Sequence, residues 1–200
     1  MDDFYLTIAH PAKAETKVKG SRFIAETKIV ESENEVSEFL RAVRKREHAA
    51  THHCYAYRIG HGNNVTFKYS DDGEPSGTAG KPIYDCITGR NLTNVVAVVI
   101  RYFGGTKLGT GGLVRSYSQT AVGALEKSGE KTIYITDRLQ LRFDFKYYDQ
   151  VLKMLEKHQA EQISSEFSEV VKLSVLVRQS KTDELKNEIT NLTHGQAQIE

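Results

Sequence analysis

The stretch NVVAVVIRYFGGTKLGTGG, residues 94–112, decides how the rest of the chain is read. Asn94 to Phe103 is almost continuously apolar, and a strand of that kind has both faces covered, because a half-exposed strand alternates polar and apolar positions. The second half carries the strand into five glycines, Gly104, Gly105, Gly109, Gly111 and Gly112, with Lys107 and Leu108 among them. Leu113, Tyr117, Ala121 and Ala124 then recur on one helical stripe until Gly129. Glycines let backbone N–H groups approach a ligand closely, and a helix N-terminus carries partial positive charge. Gly104, Gly105 and Gly109, with Arg101, Lys107 and Arg115 beside them, therefore form a candidate phosphate cradle. No Gly-Lys-Ser/Thr closes the loop, so it is not a P-loop, and the spacing is not a dinucleotide fingerprint. The same glycines equally suit a tight turn with close helix–sheet packing.

Upstream, Phe23 to Val30 predicts a strand. Ser32 followed by Glu35 makes a capping box for a helix with Val36, Phe39, Leu40 and Val43 on one face and a basic last turn, Arg44, Lys45 and Arg46. Thr51–Ile59 and Val65–Tyr69 predict a hairpin joined through residues 60–64, and Thr78 is a candidate cap for a short helix toward Gly89. Asp71, Asp72 and Glu74 place three carboxylates in four residues, a candidate divalent-cation site of Mg²⁺ type; ion pairing and turn formation account for them as well. On a strand, His52 and Cys54 face one way and His53 the other. No partner motif completes a zinc set, and an apolar β context does not favour a thiolate at Cys54. No catalytic residue is assigned.

After Asp137 a second pattern begins. Leu139, Leu141, Phe143 and Phe145 alternate with polar residues, a helix follows around Val151, Leu152 and Leu155, and Ile163–Phe167 and Val171–Val177 predict two strands. Ser180 with Asp183 is a candidate capping box before Leu185, Ile189 and Leu192, and Ala197–Ile199 is a short last strand. The order βαββαβ is the ferredoxin-like arrangement. Its outward positions Arg142, Lys172, Ser174 and Arg178 lack the exposed aromatic pair of an RNA-recognition sheet. The expected organisation is thus α+β in two domains, 1–137 and 138–200.

Composition narrows the class. Hydrophobic residues make up 39% and charged residues 26% of 200, enough apolar material for packed cores. Net charge is +1 overall, +2 over 1–137 and −1 over 138–200, so nucleic-acid binding would need a local patch. Two cysteines, Cys54 and Cys86, do not make a secreted disulfide framework; with an acidic start and no apolar run of membrane length, a cytoplasmic location is expected.

Four ordered blocks carry a family resemblance: Lys19-Gly20-Ser21-Arg22-Phe23-Ile24-Ala25, His52-His53-Cys54-Tyr55-Ala56-Tyr57, the acidic loop running into Gly77-Thr78-Ala79-Gly80-Lys81-Pro82, and Val99 to Gly109. Together they resemble the IMPACT/YigZ family across the whole chain. The resemblance implies a first domain with the fold of the second domain of the fifth small-subunit ribosomal protein. It implies a second domain similar to the last domain of the translocating elongation factor. Eukaryotic relatives regulate translation during amino-acid starvation, through partners and an extra domain whose role does not transfer automatically. The expected function is a nucleic-acid or ribosome-associated binding protein linked to translation or stress, with Arg22, Arg101, Lys107 and Arg115 on phosphates and RNA or the ribosome as partner. The alternatives are a metal-dependent enzyme on a small phosphorylated or nucleotide substrate, and a protein-docking module. No cofactor is expected beyond Mg²⁺ on the acidic loop, and no membrane partner.

Overall fold

A computed structural model describes residues 3–200 and divides into two units, one of Tyr5–Ile133 and one of Asp3, Phe4 and Tyr134–Glu200. The first contains β1 (Phe4–Ile8, whose first residue groups with the second unit), β2 (Lys13–Val18), β3 (Ser21–Ile29), α1 (Glu33–Arg46), β4 (His52–Ile59), β5 (Thr66–Ser70), α2 (Gly80–Thr88), β6 (Val95–Tyr102) and α3 (Gly109–Ser128), followed by β7 (Glu130–Tyr134). Five strands form an antiparallel sheet in the order β2-β3-β6-β4-β5, while β1 and β7 make a separate two-stranded pair.

The apolar run occupies the central strand β6, as its composition requires. Val95, Ala97 and Val99 pack with Phe23, Ala25, Cys54 and Ala56 beneath Ile83 and Ile87 of α2 and Tyr117 and Ala121 of α3. Val96, Val98 and Ile100 pack on the other face with Val36, Leu40 and Val43 of α1. A sheet covered on both faces explains why β6 does not alternate.

Several local readings change. Strands β1 and β2 carry little apolar alternation, and in β2 only Ala14 is buried, so they were not expected from pattern. Thr78 does not cap α2; its hydroxyl donates to the Pro75 carbonyl at 2.6 Å, and α2 has no cap from its own N-cap residue, Ala79. The Ser32 cap forms, with Glu35 N–H donating to Ser32 Oγ at 3.3 Å, but the Glu35 carboxylate accepts from Glu31 N–H, one residue earlier than in a capping box.

The second unit holds β8 (Thr136–Phe143), α4 (Tyr148–Lys157), β9 (Glu161–Phe167), β10 (Val171–Arg178), α5 (Thr182–Leu192) and β11 (Gln198–Ile199). Its antiparallel sheet has the order β11-β8-β10-β9. Leu139, Leu141, Phe143, Leu173 and Val175 pack with Val151 and Leu155 of α4 and Leu185 and Ile189 of α5. The division falls between Ile133 and Tyr134, before the expected boundary, because β8 starts at Thr136 and belongs whole to this sheet. Phe145 leaves the strand for a 3₁₀ turn and is 63% exposed. Ser174 is on the outward face as expected but is buried there under Arg138 and Gln140, accepting from Arg138 Nε and Gln140 Nε2 at 3.0 and 3.1 Å. Ser180 and Asp183 do not box α5; Ser180 Oγ donates to Asp3, and the Thr182 hydroxyl donates to Asp137 at 2.6 Å. Among the described residues no helix is long and apolar enough to cross a membrane.

Candidate functional site

The four sequence blocks, far apart in the chain, meet at the head of α3. A turn through Lys19 and Gly20, both with positive φ, leads into β3, and the Gly20 backbone lies against Gly104. A Cβ on Gly104 would sit 1.9 Å from the Gly20 carbonyl carbon, so this glycine is required by a backbone-on-backbone approach. Gly105 and Gly109 have positive φ, which turns the chain between β6 and α3. The wholly buried Ser21 hydroxyl ties the junction together: it accepts from Gly104 N–H at 3.1 Å and from Arg101 Nη2 at 3.3 Å.

Arg101 is the last inward-held cation of β6 and only 5% exposed. Its Nη1 donates to Glu74 Oε1 at 2.6 Å, and the same oxygen accepts from the Tyr117 hydroxyl of α3 at 2.7 Å. Its guanidinium carbon lies 5.3 Å from the Phe23 ring centroid and 5.5 Å from that of Phe103. Arg101 Nε is buried and has no hydrogen-bond partner among the described residues. An unmatched buried donor costs about 1–3 kcal/mol, so it marks a place where an acceptor would be favoured. Burial, then the nearby Cys54 and Glu74, push the Tyr117 phenol far above its ordinary range, leaving it a hydrogen-bond donor. Burial also pushes the Cys54 thiol up to about 12; the thiol donates to the Asp71 carbonyl at 3.0 Å and is no nucleophile.

The acidic loop is spent on protein donors. Asp71 accepts from the backbone N–H groups of Gly77, Ala79 and Gly80 at 2.8–2.9 Å, supplying the cap that α2 lacks. Burial opposes its ionisation, but those three donors outweigh it and hold the carboxyl below the usual aspartate range. Asp72, at positive φ, accepts from His53 N–H at 2.7 Å and from Arg44 at 3.3 Å, and its carbonyl meets His52 Nδ1 at 2.8 Å. Glu74 is held by Arg101. Asp71, Asp72 and Glu74 thus do not gather as a ligand set. His53 Nε2 meets the Glu47 carbonyl at 3.1 Å, so the two histidines diverge. Among the described residues, three metal-competent side chains come together only at His158, Glu184 and Glu188, where Lys157 and His158 already engage Glu188.

Between these elements lies a half-open cavity of about 340 Å³. Glu74 and Arg101 line it together with apolar Pro75, Phe103, Leu108 and Leu113, and with Lys107, Gly109 and Thr110 at the start of α3. The N-cap residue of α3 is Leu108, which offers no side-chain acceptor, and the first turn carries no acidic residue. Among the described residues no side chain accepts from the leading N–H groups of this 20-residue helix. Lys107 and Arg115 are exposed, and neither is ion-paired among the described residues. Arg22 is different: it pairs with Glu15 at 3.0 Å, a hydrogen bond that raises its pKa, and stands 5.7 Å from the Tyr102 ring. The expected cationic set is thus split: Arg101 and Lys107 share the cavity, Arg115 follows on the exposed side of α3, and Arg22 is engaged elsewhere. Sequence reading missed Phe103, 48% exposed, and the roles of Ser21 and Tyr117. An aromatic ending an apolar strand directly before two glycines was the available signal for Phe103.

Two family models match in tandem, the Impact N-terminal domain over residues 19–125 and a domain of unknown function, DUF1949, over residues 141–196. The IMPACT family member YvyE of Bacillus subtilis is 34% identical over 98% of this chain and 89% of its own length. The IMPACT family member YigZ of Escherichia coli is 30% identical over 98% of this chain and 96% of its own length. A crystal structure described as that of a hypothetical protein superposes with a TM-score of 0.69 at 29% identity, covering 100% of this chain and 97% of that one. Matched over 98% of its length by both relatives, and over residues 19–125 and 141–196 by the two models, the chain belongs to the IMPACT family.

Proposed function

We propose that this protein binds single-stranded nucleic acid, RNA in the first instance, at the cavity heading α3, and acts in a translation-linked or stress-linked setting with RNA or the ribosome as partner. The observation that carries this reading is the coincidence, in one cavity, of a buried arginine with an unmatched donor, an unpaired lysine, an uncapped helix N-terminus and an exposed aromatic ring. Cations and helix N–H groups suit phosphodiester oxygens, and an aromatic face suits an unstacked base; together they are the ordinary means of holding single strands. We read the first unit as the ribosomal-protein-like fold and the β11-β8-β10-β9 order as ferredoxin-like, which agrees with a translation setting without establishing it. Catalysis with Mg²⁺ on the acidic loop is less well supported, because its carboxylates are already held by backbone and cationic donors.

Replacing Lys107 and Arg115 by alanine tests the proposal. Each phosphate contact contributes roughly −0.7 to the slope of log affinity against log salt for a single strand, so the double variant is expected to bind RNA more weakly at low salt with a slope shallower by about 1.4. Unchanged low-salt affinity would overturn the reading.

A further inference from the structure

Resting on that nucleic-acid reading, we infer that the cavity is a base pocket: it takes one unstacked nucleobase and reads its edge, with guanine favoured. The volume of about 340 Å³ is at the small end of ligand pockets and suits roughly one nucleotide rather than a stack. Its apolar walls, Phe103, Leu108, Leu113 and Pro75, suit the flat faces of a base. Phosphate-only binding gives no reason for them, since a backbone groove needs cations and N–H groups alone.

The polar lining is paired in a specific way. Glu74 supplies a carboxylate acceptor and Arg101 its guanidinium, and both residues border the same cavity. They are fixed in position by Tyr117 and Ser21, so the two edge-reading groups are set before any ligand arrives. Guanine presents two adjacent N–H donors, N1–H and the exocyclic amine, next to the O6 acceptor. That array matches a carboxylate beside an arginine more fully than uracil, cytosine or adenine, each of which offers fewer donors on that edge. Lys107 and the head of α3 then lie at the cavity mouth, where the attached phosphate would follow.

The test uses the full chain and four hexaribonucleotides, all uridine or uridine with one guanosine, adenosine or cytidine at an internal position, each titrated at several salt concentrations. The guanosine hexamer is expected to bind roughly fivefold tighter or more, the lower end of what a good edge contact discriminates. Phe103→Ala, at an exposed ring whose loss leaves the core intact, is expected to weaken all four hexamers alike, and Glu74→Gln, with a thermal melt to check its fold, is expected to erase the guanosine preference. Equal affinity for all four, with steep salt dependence retained, would overturn the base pocket and leave the backbone-binding function standing. A preference that survives Glu74→Gln in a folded variant would also overturn it. Binding of none would overturn the function and the pocket together.

Discussion

Two ion pairs, one in each unit, show how burial changes what a common contact is. Arg101 and Glu74 meet with side chains only 6% and 4% exposed, Tyr117 and Ser21 complete their hydrogen bonds, and both residues border a cavity. Lys157 and Glu188 bridge α4 and α5, but the lysine side chain is 59% exposed, and His158 shares the carboxylate from below. The first pair has been taken from water and its geometry fixed by neighbours; the second remains solvated and is free to exchange water for either partner. The same charges therefore make a buried, preorganised pair in one place and a solvated helix-to-helix tether in the other.

Removing one partner is the sharpest way to break the comparison. Arg101→Ala leaves Glu74 buried with Tyr117 and, at 3.9 Å, His52 Nε2, and is expected to destabilise the first unit by about 3–5 kcal/mol in urea denaturation. Lys157→Ala is expected to leave the midpoint of the second unit where it was. Equal effects would mean that the Arg101 site is more hydrated than its burial implies.

The glycine loop gives the next largest contrast. Gly104→Ala forces a Cβ into the Gly20 backbone, with an expected cost of roughly 1–3 kcal/mol. Gly111→Ala meets nothing within 4 Å in the first turn of α3 and should stabilise by up to about 1 kcal/mol through helix propensity. Thermal melts of the two variants should move in opposite directions. A shared direction would show that the loop glycines serve one purpose, whereas the structure gives Gly104 a packing role and leaves Gly111 open space.

Acid is a gentler probe. Because the Asp71 carboxyl is held below its ordinary range in the fold, it contributes stability that is present above about pH 4 and is lost as pH falls through its lowered folded value. Asp71→Asn is expected to lower stability at neutral pH and to flatten that acid limb, as read from urea midpoints over a pH series. An unchanged acid limb would mean that the three N–H donors of the α2 cap do not favour the charged form.

The parts of this architecture that were legible in the sequence are those with strong periodicity or strong punctuation. The unbroken Val95–Ile100 run announced a strand covered on both faces, the Leu113–Ala124 stripe announced α3, and the alternation from Leu139 to Phe143 announced β8. Strands β1 and β2 escaped because a half-polar edge strand such as KAETKV has no pattern beyond its pairing with β3. Thr78 looked like the cap of α2 because capping is usually local, yet Asp71 reaches across the turn to do it, a contact only the folded loop provides. In the site, the cations were visible as residue types. Their fates were not: the apolar run around Arg101 set it apart from the exposed Arg115 of the next helix, but its match to Glu74, 27 positions away in the chain, is a contact only the fold provides.

The most direct test of the central claim is a titration of the purified chain with single-stranded and double-stranded RNA across a salt series, with ATP and GTP as competitors. Saturable binding of the single strand that weakens steeply with salt, exceeds binding of the duplex and resists millimolar-range ATP is the predicted result. No binding of either RNA at low salt, or displacement by low concentrations of ATP and GTP alike, would contradict a single-strand site at the head of α3.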